Sequence, residues 1–192
     1  GAVSGNNWTT TFGFGWDDSG PINTSNQGNG GYAIPSDDGS MNLFRTRARG
    51  NGSLTKTGDG TLTVTAINAF AGGRFVQGGA LLVQGATGSG GEVVVQSGAV
   101  LGGVGEINAP VFVEAGGIMS PGDSAGVLSA NGDTTLSAGA VFRVEVNGLT
   151  PGSEHDQLVV GGTVDLTGST LELLGSYVPA LDDRIVIIDN DG

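Results

Sequence analysis

The sequence reads GSLTKTGDGTLTV at Gly52–Val64, GRFVQGGALLV at Gly73–Val83, GEVVVQSGAVL at Gly91–Leu101 and APVFVEAGGIM at Ala109–Met119. In each stretch, short runs of apolar residues flank a glycine-containing corner, and none has the 3.6-residue period of a helix. A repeated unit of this size buries its apolar residues by stacking on its neighbours. The pattern therefore predicts an all-β solenoid.

The spacing of two apolar triads indicates the length of one coil. Val93–Val95 precedes Val111–Val113 by 18 positions. Continuous triads favour parallel strands, although the pattern alone leaves a two-sheet sandwich open. At ~4.8 Å per coil, about seven coils give a body near ~35 Å long. We expect these residues to point inward: Leu62, Val64, Leu82, Val94, Phe112, Leu136, Leu158 and Leu173.

Composition excludes several classes of protein. The chain has 192 residues, 38 of them glycine, no cysteine, and a formal net charge of −12. This charge argues against a nucleic-acid partner, since such a partner requires a basic surface. No apolar run approaches ~18 residues, so a transmembrane helix is not expected. The start at Gly1 without methionine is typical of a processed exported protein or of a fragment.

The chain divides into two regions that differ in amino-acid composition. Residues 1–50 are rich in Asn, Ser and Gly and are expected to form a strand, cap or assembly segment, and 51–192 the solenoid, with terminal cap rungs from about residue 134. The first region contains four aromatic residues, Trp8, Phe12, Phe14 and Trp16. Burial in a cap is the favoured role for them, and glycan stacking or assembly is the alternative.

One motif matches a catalytic pattern. Gly122–Gly126 reads GDSAG, the G-x-S-x-G pattern, and His155 with Asp133 or Asp156 nominally completes a triad around Ser124. That pattern is catalytic on a strand-to-helix turn, and no helical pattern follows Gly126. The sequence therefore favours a solenoid corner, no catalytic residues, and for His155 an ordinary polar position beside a turn.

Calcium is the one cofactor that the sequence suggests. Asp189 and Asp191 alternate before a glycine, and Asp37 and Asp38 precede another. Carboxylate oxygens bind Ca²⁺, but neither cluster has the complete pattern of a calcium loop.

Residues 52–192 resemble a known bacterial family. LTKTGDGTLTV has Lys56, Gly58 and Gly60 where the passenger-associated β-strand repeat of autotransporters has its K-x-G-x-G phrase, and Ala69–Gly73 (AFAGG) follows as its corner. GGALLVQG, SGAVLGGVGEI, IMSPGDSAGVL and HDQLVVGGTVDLTGSTLEL also resemble that family. The resemblance implies a right-handed parallel β-helix, secreted or displayed on the bacterial surface as an adhesin, stalk or scaffold. It carries no catalytic residues.

These observations lead to a ranked set of functions. A non-enzymatic extracellular structural protein is favoured, which forms a fibre or scaffold. The alternatives are an adhesin passenger, a glycan-binding module that contacts a host surface, and, less favoured, a β-helical polysaccharide-acting enzyme. We also expect a homopolymer in which part of residues 1–50 pairs with the solenoid of a neighbouring copy, since a parallel solenoid leaves unpaired strand edges at its ends.

Overall fold

A computed structural model of the chain describes residues 31–35, 40–43, 49–50, 52–65 and 67–190, and their side chains from residue 52 onward except at residues 69 and 70. Within these residues the chain forms strands, bridges and turns, and no residue is helical. The strands make three sheets of seven strands each.

The first sheet contains β1 Gly31–Pro35, β4 Ser53–Thr57, β7 Arg74–Val76, β10 Val93–Val95, β13 Val111–Val113, β16 Thr134–Leu136 and β19 Val164–Asp165. The second contains β2 Ser40–Leu43, β5 Thr61–Val64, β8 Ala80–Val83, β11 Val100–Gly103, β14 Ile118–Pro121, β17 Val141–Glu145 and β20 Thr170–Leu174. The third contains β3 Arg49–Gly50, β6 Ile67–Phe70, β9 Ala86–Thr87, β12 Glu106–Ile107, β15 Val127–Ala130, β18 Gln157–Val160 and β21 Ile188–Asn190.

Neighbours in every sheet are three strands apart in the chain, so each coil gives one strand to each sheet. The named strands pair in parallel throughout, and Val93 lies opposite Val111 as the spacing predicts. The fold is therefore a parallel β-helix of seven coils in the described part of the chain, as the sequence predicts. The two-sheet sandwich is excluded.

The core is a set of side-chain columns that run along the helix axis. In the second sheet, register pairing aligns Leu62, Leu81, Leu101, Met119 and Phe142, and each is at most 3% exposed. Alternate residues of a strand point to opposite faces of the sheet. Because the register is constant, each inward apolar residue packs on the residue at the aligned position of the coil before. The stacked columns bury apolar surface that a single coil would leave in water.

Five of the predicted core residues are buried: Leu62, Val64, Val94, Leu136 and Leu158. The prediction was wrong for Leu82, which lies half-buried between the inward Leu81 and Val83. It was also wrong for Phe112, 39% exposed, because it is the middle residue of a three-residue strand whose outer two residues point inward. Val94, although buried, shares the outward column of Phe112.

Leu173 differs for another reason. It lies opposite Val144, which is fully buried, but Leu173 itself is 60% exposed. No further strand of the second sheet covers β20 within the described residues. Its position in the column therefore agrees with the prediction, and its burial does not.

The two predicted regions are continuous in the sheets. The described strands before residue 51 pair in parallel with β4, β5 and β6. The strands after residue 134 continue the same three sheets. The division at residue 50 and the cap from about residue 134 stay predictions. In the described part of the chain no helix is long and apolar enough to span a membrane.

Glycine corners allow one coil to lie directly on another. Gly103 has a φ of +111°, and a Cβ atom there would lie 2.1 Å from the carbonyl oxygen of Val83 in the coil below. Gly98 also has a positive φ, +80°, but a Cβ atom there would meet nothing within 4 Å. The pair therefore separates backbone strain from coil-to-coil contact.

We expect Gly98→Ala to lower the free energy of unfolding by about 1 kcal/mol, which is the cost of a left-handed alanine. Gly103→Ala adds a clash with backbone and is expected to cost about 3 kcal/mol or more. Chemical denaturation of both variants measures the difference. Equal losses would contradict the claim that direct backbone stacking requires Gly103.

Candidate functional site

The GDSAG corner joins β14 to β15 at the junction of two coils. Gly103 and Gly122 exchange two backbone hydrogen bonds, of 2.9 and 2.8 Å, which fix the start of the corner. Ser124 is exposed and has a φ of +101°. A strand, β15, follows the corner where a nucleophile elbow requires a helix. The corner thus has the sequence of an elbow but not its structure.

Asp156 holds this corner to the next coil. One carboxylate oxygen accepts a 3.0 Å hydrogen bond from the Gly126 N–H, and the other accepts a 2.7 Å bond from the Glu145 N–H. The side chain is buried. Burial raises the pKa of Asp156, and the two backbone donors oppose that rise. Asp156 therefore acts as a cross-link between the corner and the end of β17.

His155 lies directly after the turn at residues 152–154, as the sequence favours, and is buried, with 1% of its surface exposed. Its Nδ1 lies 3.2 Å from the carbonyl oxygen of Gly148, and its buried Nε2 has no hydrogen-bond partner among the described residues. Its ring is therefore oriented by a backbone carbonyl, whereas the ring of a triad histidine is oriented by a carboxylate.

Asp133 binds Thr163 of the next coil and not His155. Its Oδ1 accepts hydrogen bonds from the N–H and the hydroxyl of Thr163, at 2.9 and 2.8 Å, and these bonds lower its pKa. Among the described residues, no hydrogen bond joins Ser124, His155 and either aspartate into a relay. His155, Asp133 and Asp156 each make a different structural contact instead.

A pocket of about 180 Å³ opens beside the corner. Its wall includes Asp123, Ser124, Glu145 and Asp156 together with apolar side chains of the second sheet. Across the described ranges, no three His, Cys, Asp or Glu side chains are grouped to hold a metal ion. Among the residues that the structure describes, the pocket wall therefore has polar side chains that no hydrogen bond joins into a catalytic relay.

Of the other predicted site residues, Asp189 lies among those that the structure describes. Asp189 is exposed on β21, opposite Val159. Asp37, Asp38 and Asp191 lie outside the described residues, as do Trp8, Phe12, Phe14 and Trp16. The calcium site and the role of the aromatic residues stay predictions.

Two buried cations escaped the sequence analysis. Lys56 lies on the inward face of β4 opposite Val76, and its side chain is fully buried. Its ammonium donates hydrogen bonds to the carbonyl oxygens of Thr57, Gly58 and Gly78, at 2.9, 2.8 and 2.9 Å. Since Gly78 belongs to the next coil, Lys56 ties two consecutive corners together. Burial lowers its pKa, and the nearby Asp59 opposes that change.

Arg74 has a similar position one coil later. It is 1% exposed, lies in the column between Leu54 and Val93, and donates a hydrogen bond to the carbonyl oxygen of Gly90. Burial lowers its pKa to about 10. For Lys56, the sequence does contain a signal of burial. SLTKT alternates with a two-residue period, which puts Lys56 on the same face of the strand as Leu54.

The segment around Lys56 and Arg74 matches a known protein family. Residues 54–83 match the passenger-associated-transport-repeat family. The resemblance predicted from the sequence is confirmed for this segment. The matched repeat includes Lys56, Gly58 and the corner at Gly78, so the lysine of the K-x-G-x-G phrase has a physical role here. It donates hydrogen bonds to the carbonyl oxygens of two stacked turns.

A curated relative is the protein named extracellular serine protease of Serratia marcescens. It is 33% identical to this chain over 97 residues, which are 50% of this chain and 9% of that protein. The aligned part of the chain therefore spans about a tenth of that relative's length.

The corner lysine of the repeat is expected to stabilise the fold. Lys56→Met preserves the apolar stem but leaves three carbonyl oxygens without their donor, so the free energy of unfolding should fall by about 2 kcal/mol. Arg143→Met is the control: Arg143 forms a partly exposed ion pair with Glu172 at 2.6 Å, and its loss should cost about 0–1 kcal/mol. Urea denaturation distinguishes them, and an equal or more stable Lys56→Met protein would contradict the assigned role.

The pH dependence of stability tests Asp156. A carboxyl group with a raised folded-state pKa contributes most stability below its unfolded-state pKa and loses it as the pH rises through the folded-state pKa. The free energy of unfolding of the wild type minus that of Asp156→Asn should therefore be largest near about pH 3 and decrease toward about pH 7.

Asp133→Asn provides a control of opposite sign. The pKa of Asp133 is lowered, so its contribution is present above the unfolded-state pKa and is lost as the pH falls. The difference between wild type and Asp133→Asn should increase with pH. Two differences that change in the same direction with pH would contradict this account of Asp156.

Proposed function

We propose that this chain is a non-enzymatic structural segment of an extracellular bacterial protein, a rod that spaces or carries other parts. The observation that supports the proposal is that polar side chains at the corners bind the protein's own backbone. Lys56, Asp133 and Asp156 all bind backbone groups of a neighbouring coil. A surface whose polar groups bind its own backbone stabilises a long body and leaves few groups that converge on a substrate.

The distribution of charge disfavours a polysaccharide lyase. Such a site needs acidic residues that hold Ca²⁺ and an accessible base on the same face. Of the four described cationic side chains, Lys56 and Arg74 are buried and Arg143 pairs with Glu172, which leaves Arg184. No metal-holding group of acidic residues lies among the described residues.

The comparisons support an extracellular location. The matched repeat is named for passenger transport, and the Serratia relative is named as extracellular. The protease activity in that relative's name is assigned to a protein of which the matched region is 9%. Secretion or surface display is therefore proposed for this chain, and proteolysis is not. The glycan-binding alternative depends on aromatic residues before residue 31, which lie outside the described residues. The adhesin alternative depends on the family resemblance alone.

Removal of one coil tests the structural role. Deleting residues 93–110 joins Glu92 to Val111, which takes the register position of Val93 and removes one coil in frame. A rod made of equivalent coils should still fold and should be shorter by ~4.8 Å in electron micrographs. In the producing bacterium, antibodies against the chain should label unbroken cells or the culture medium. Labelling of cells only after lysis, or unfolding of the shortened chain, would contradict the proposal.

Activity assays test the non-enzymatic part. We expect no labelling of Ser124 by a serine-directed fluorophosphonate, because His155 is buried and its Nδ1 faces a backbone carbonyl. A known serine hydrolase is the positive control. If the probe labels the wild type, and Ser124→Ala abolishes both the labelling and a hydrolytic activity, the proposal is wrong.

A further inference from the structure

Successive coils differ in the length of the connection from the second sheet to the third. Two residues separate β8 from β9 (84–85) and β11 from β12 (104–105), five separate β14 from β15 (122–126), and eleven separate β17 from β18 (146–156). The connections from the first sheet to the second stay at three or four residues between β4 and β20. In repeat proteins, insertions collected on one side of the body often form the binding face. The corner between the second and third sheets is therefore the place to look for a ligand.

The eleven-residue connection has a fixed shape. The N–H of Asn147 donates a 2.7 Å hydrogen bond to the carbonyl oxygen of Glu154. The Glu154 carboxylate in turn accepts hydrogen bonds from the N–H groups of Leu149 and Thr150, at 3.1 and 2.8 Å. A connection that is already held by its own hydrogen bonds loses little conformational freedom when a ligand binds beside it.

The pocket of about 180 Å³ lies at the base of the two longer connections. Asp123 and Ser124 belong to the five-residue connection, and Asp156 is the last residue of the eleven-residue one. The hydrogen bonds of Asp156 to both sides, described above, fix the two walls relative to each other. Nine of the eleven lining residues come from three consecutive coils, β10 to β18. The pocket is therefore a feature of the interior coils of the described chain.

The floor of the pocket is apolar and lies on the outward face of the second sheet. Leu82 and Val100 line it, and both are half-buried. Gly102 lies between Leu82 and Ser120 in one outward column, so this column has a gap in its side chains. A Cβ atom at position 102 would lie 2.4 Å from the carbonyl oxygen of Ser120. The packing of the backbone thus keeps the gap open.

Hydrogen-bond donors and acceptors both surround this floor. Asp123 and Glu145 each accept one hydrogen bond from a neighbouring amide side chain. Since a carboxylate has about four acceptor sites, both can accept further bonds from a ligand. Arg143 uses its Nε in an ion pair, and its two terminal nitrogens are further donors. The hydroxyls of Ser120 and Ser124 complete the polar rim.

We propose that this pocket binds one uncharged sugar ring of a glycan, with the C–H face of the ring on Leu82 and Val100 and its hydroxyls on the polar rim. The volume is below the ~300–1,000 Å³ of sites for drug-sized ligands, which limits the occupant to about one ring. A sugar hydroxyl both donates and accepts, so it matches the carboxylates and the guanidinium of Arg143 alike. The site adds a binding function to the structural role proposed above, which does not depend on it.

The charge of the rim selects among possible occupants. Asp123 and Glu145 disfavour an acidic sugar, because like charges repel and the guanidinium of Arg143 is already paired. A lysine or arginine side chain of a peptide would suit the two carboxylates. Such a side chain has donors but no acceptors, so it would leave the donors of Arg143 without a partner. The mixture of donors and acceptors therefore favours a neutral sugar.

Titration of the full chain, followed by NMR of its backbone amides, tests the proposal. The neutral probes are the methyl glycosides of glucose, galactose, mannose and N-acetylglucosamine, and the charged probes are glucuronic acid and a tri-arginine peptide. We expect at least one neutral probe to shift the amides of residues 122–126 and 143–145 in a saturable manner. The charged probes should not shift them.

Three variants locate the site. Asp123→Asn with Glu145→Gln removes both rim charges with little change of shape and should weaken binding ~10-fold or more, because hydrogen bonds to charged groups are the strong ones. Val100→Trp fills the floor and should abolish binding. Glu92→Gln with Glu106→Gln makes the same charge change at two exposed glutamates outside the pocket and should leave the affinity unchanged. Thermal melting of each variant checks that it is folded.

The proposal is wrong if no neutral probe shifts these amides at about 50 mM, a concentration that populates even millimolar complexes. It is also wrong if only a charged probe does so, which would assign a cationic peptide or an acidic ligand. Equal sugar binding by the pocket variants and the control would overturn it as well and would place the glycan site elsewhere. None of these outcomes changes the one-coil deletion or the surface labelling, so the rod can hold while this site fails.

Discussion

Constant register between successive coils is the constraint on which the whole structure depends. Once β5, β8, β11, β14 and β17 pair in parallel without a shift, each inward residue must pack on the aligned residue of the coil before and of the coil after. The column from Leu62 to Phe142 meets this requirement with large apolar side chains throughout. A slip of one residue would turn this column to the solvent, so burial and register enforce each other.

The corners carry the second constraint. Where the backbone of one coil lies on the backbone of the next, there is little room for side chains, and the carbonyl and N–H groups still need partners. Lys56 supplies donors to two stacked corners, and Asp156 supplies acceptors to the GDSAG corner. Residues that resemble catalytic groups in the sequence thereby serve to connect coils. This explains how a G-x-S-x-G motif can occur without the geometry of an elbow.

The sequence predicts the architecture well because apolar runs and glycine corners recur at the length of a coil, as with Val93 and Val111. It fails where the outcome depends on more than local pattern. Phe112 is apolar but lies on the outward side of a short strand, and Lys56 is charged but lies on the inward side. Leu173 has an inward register position, yet it is exposed because no described strand covers β20. The contacts of Asp156 join residues 11 and 30 positions away, which no sequence motif indicates.

Native-state hydrogen exchange measures the ladder on which the account rests. If the coils form one continuous parallel solenoid, backbone amides of β8, β11 and β14 should be the most protected, and protection should decrease toward β20, which no described strand covers. Amides within one strand should exchange at similar free energies because they belong to one ladder. Rapid exchange at Leu101 and Met119, at the rate of exposed corner amides, would contradict the account.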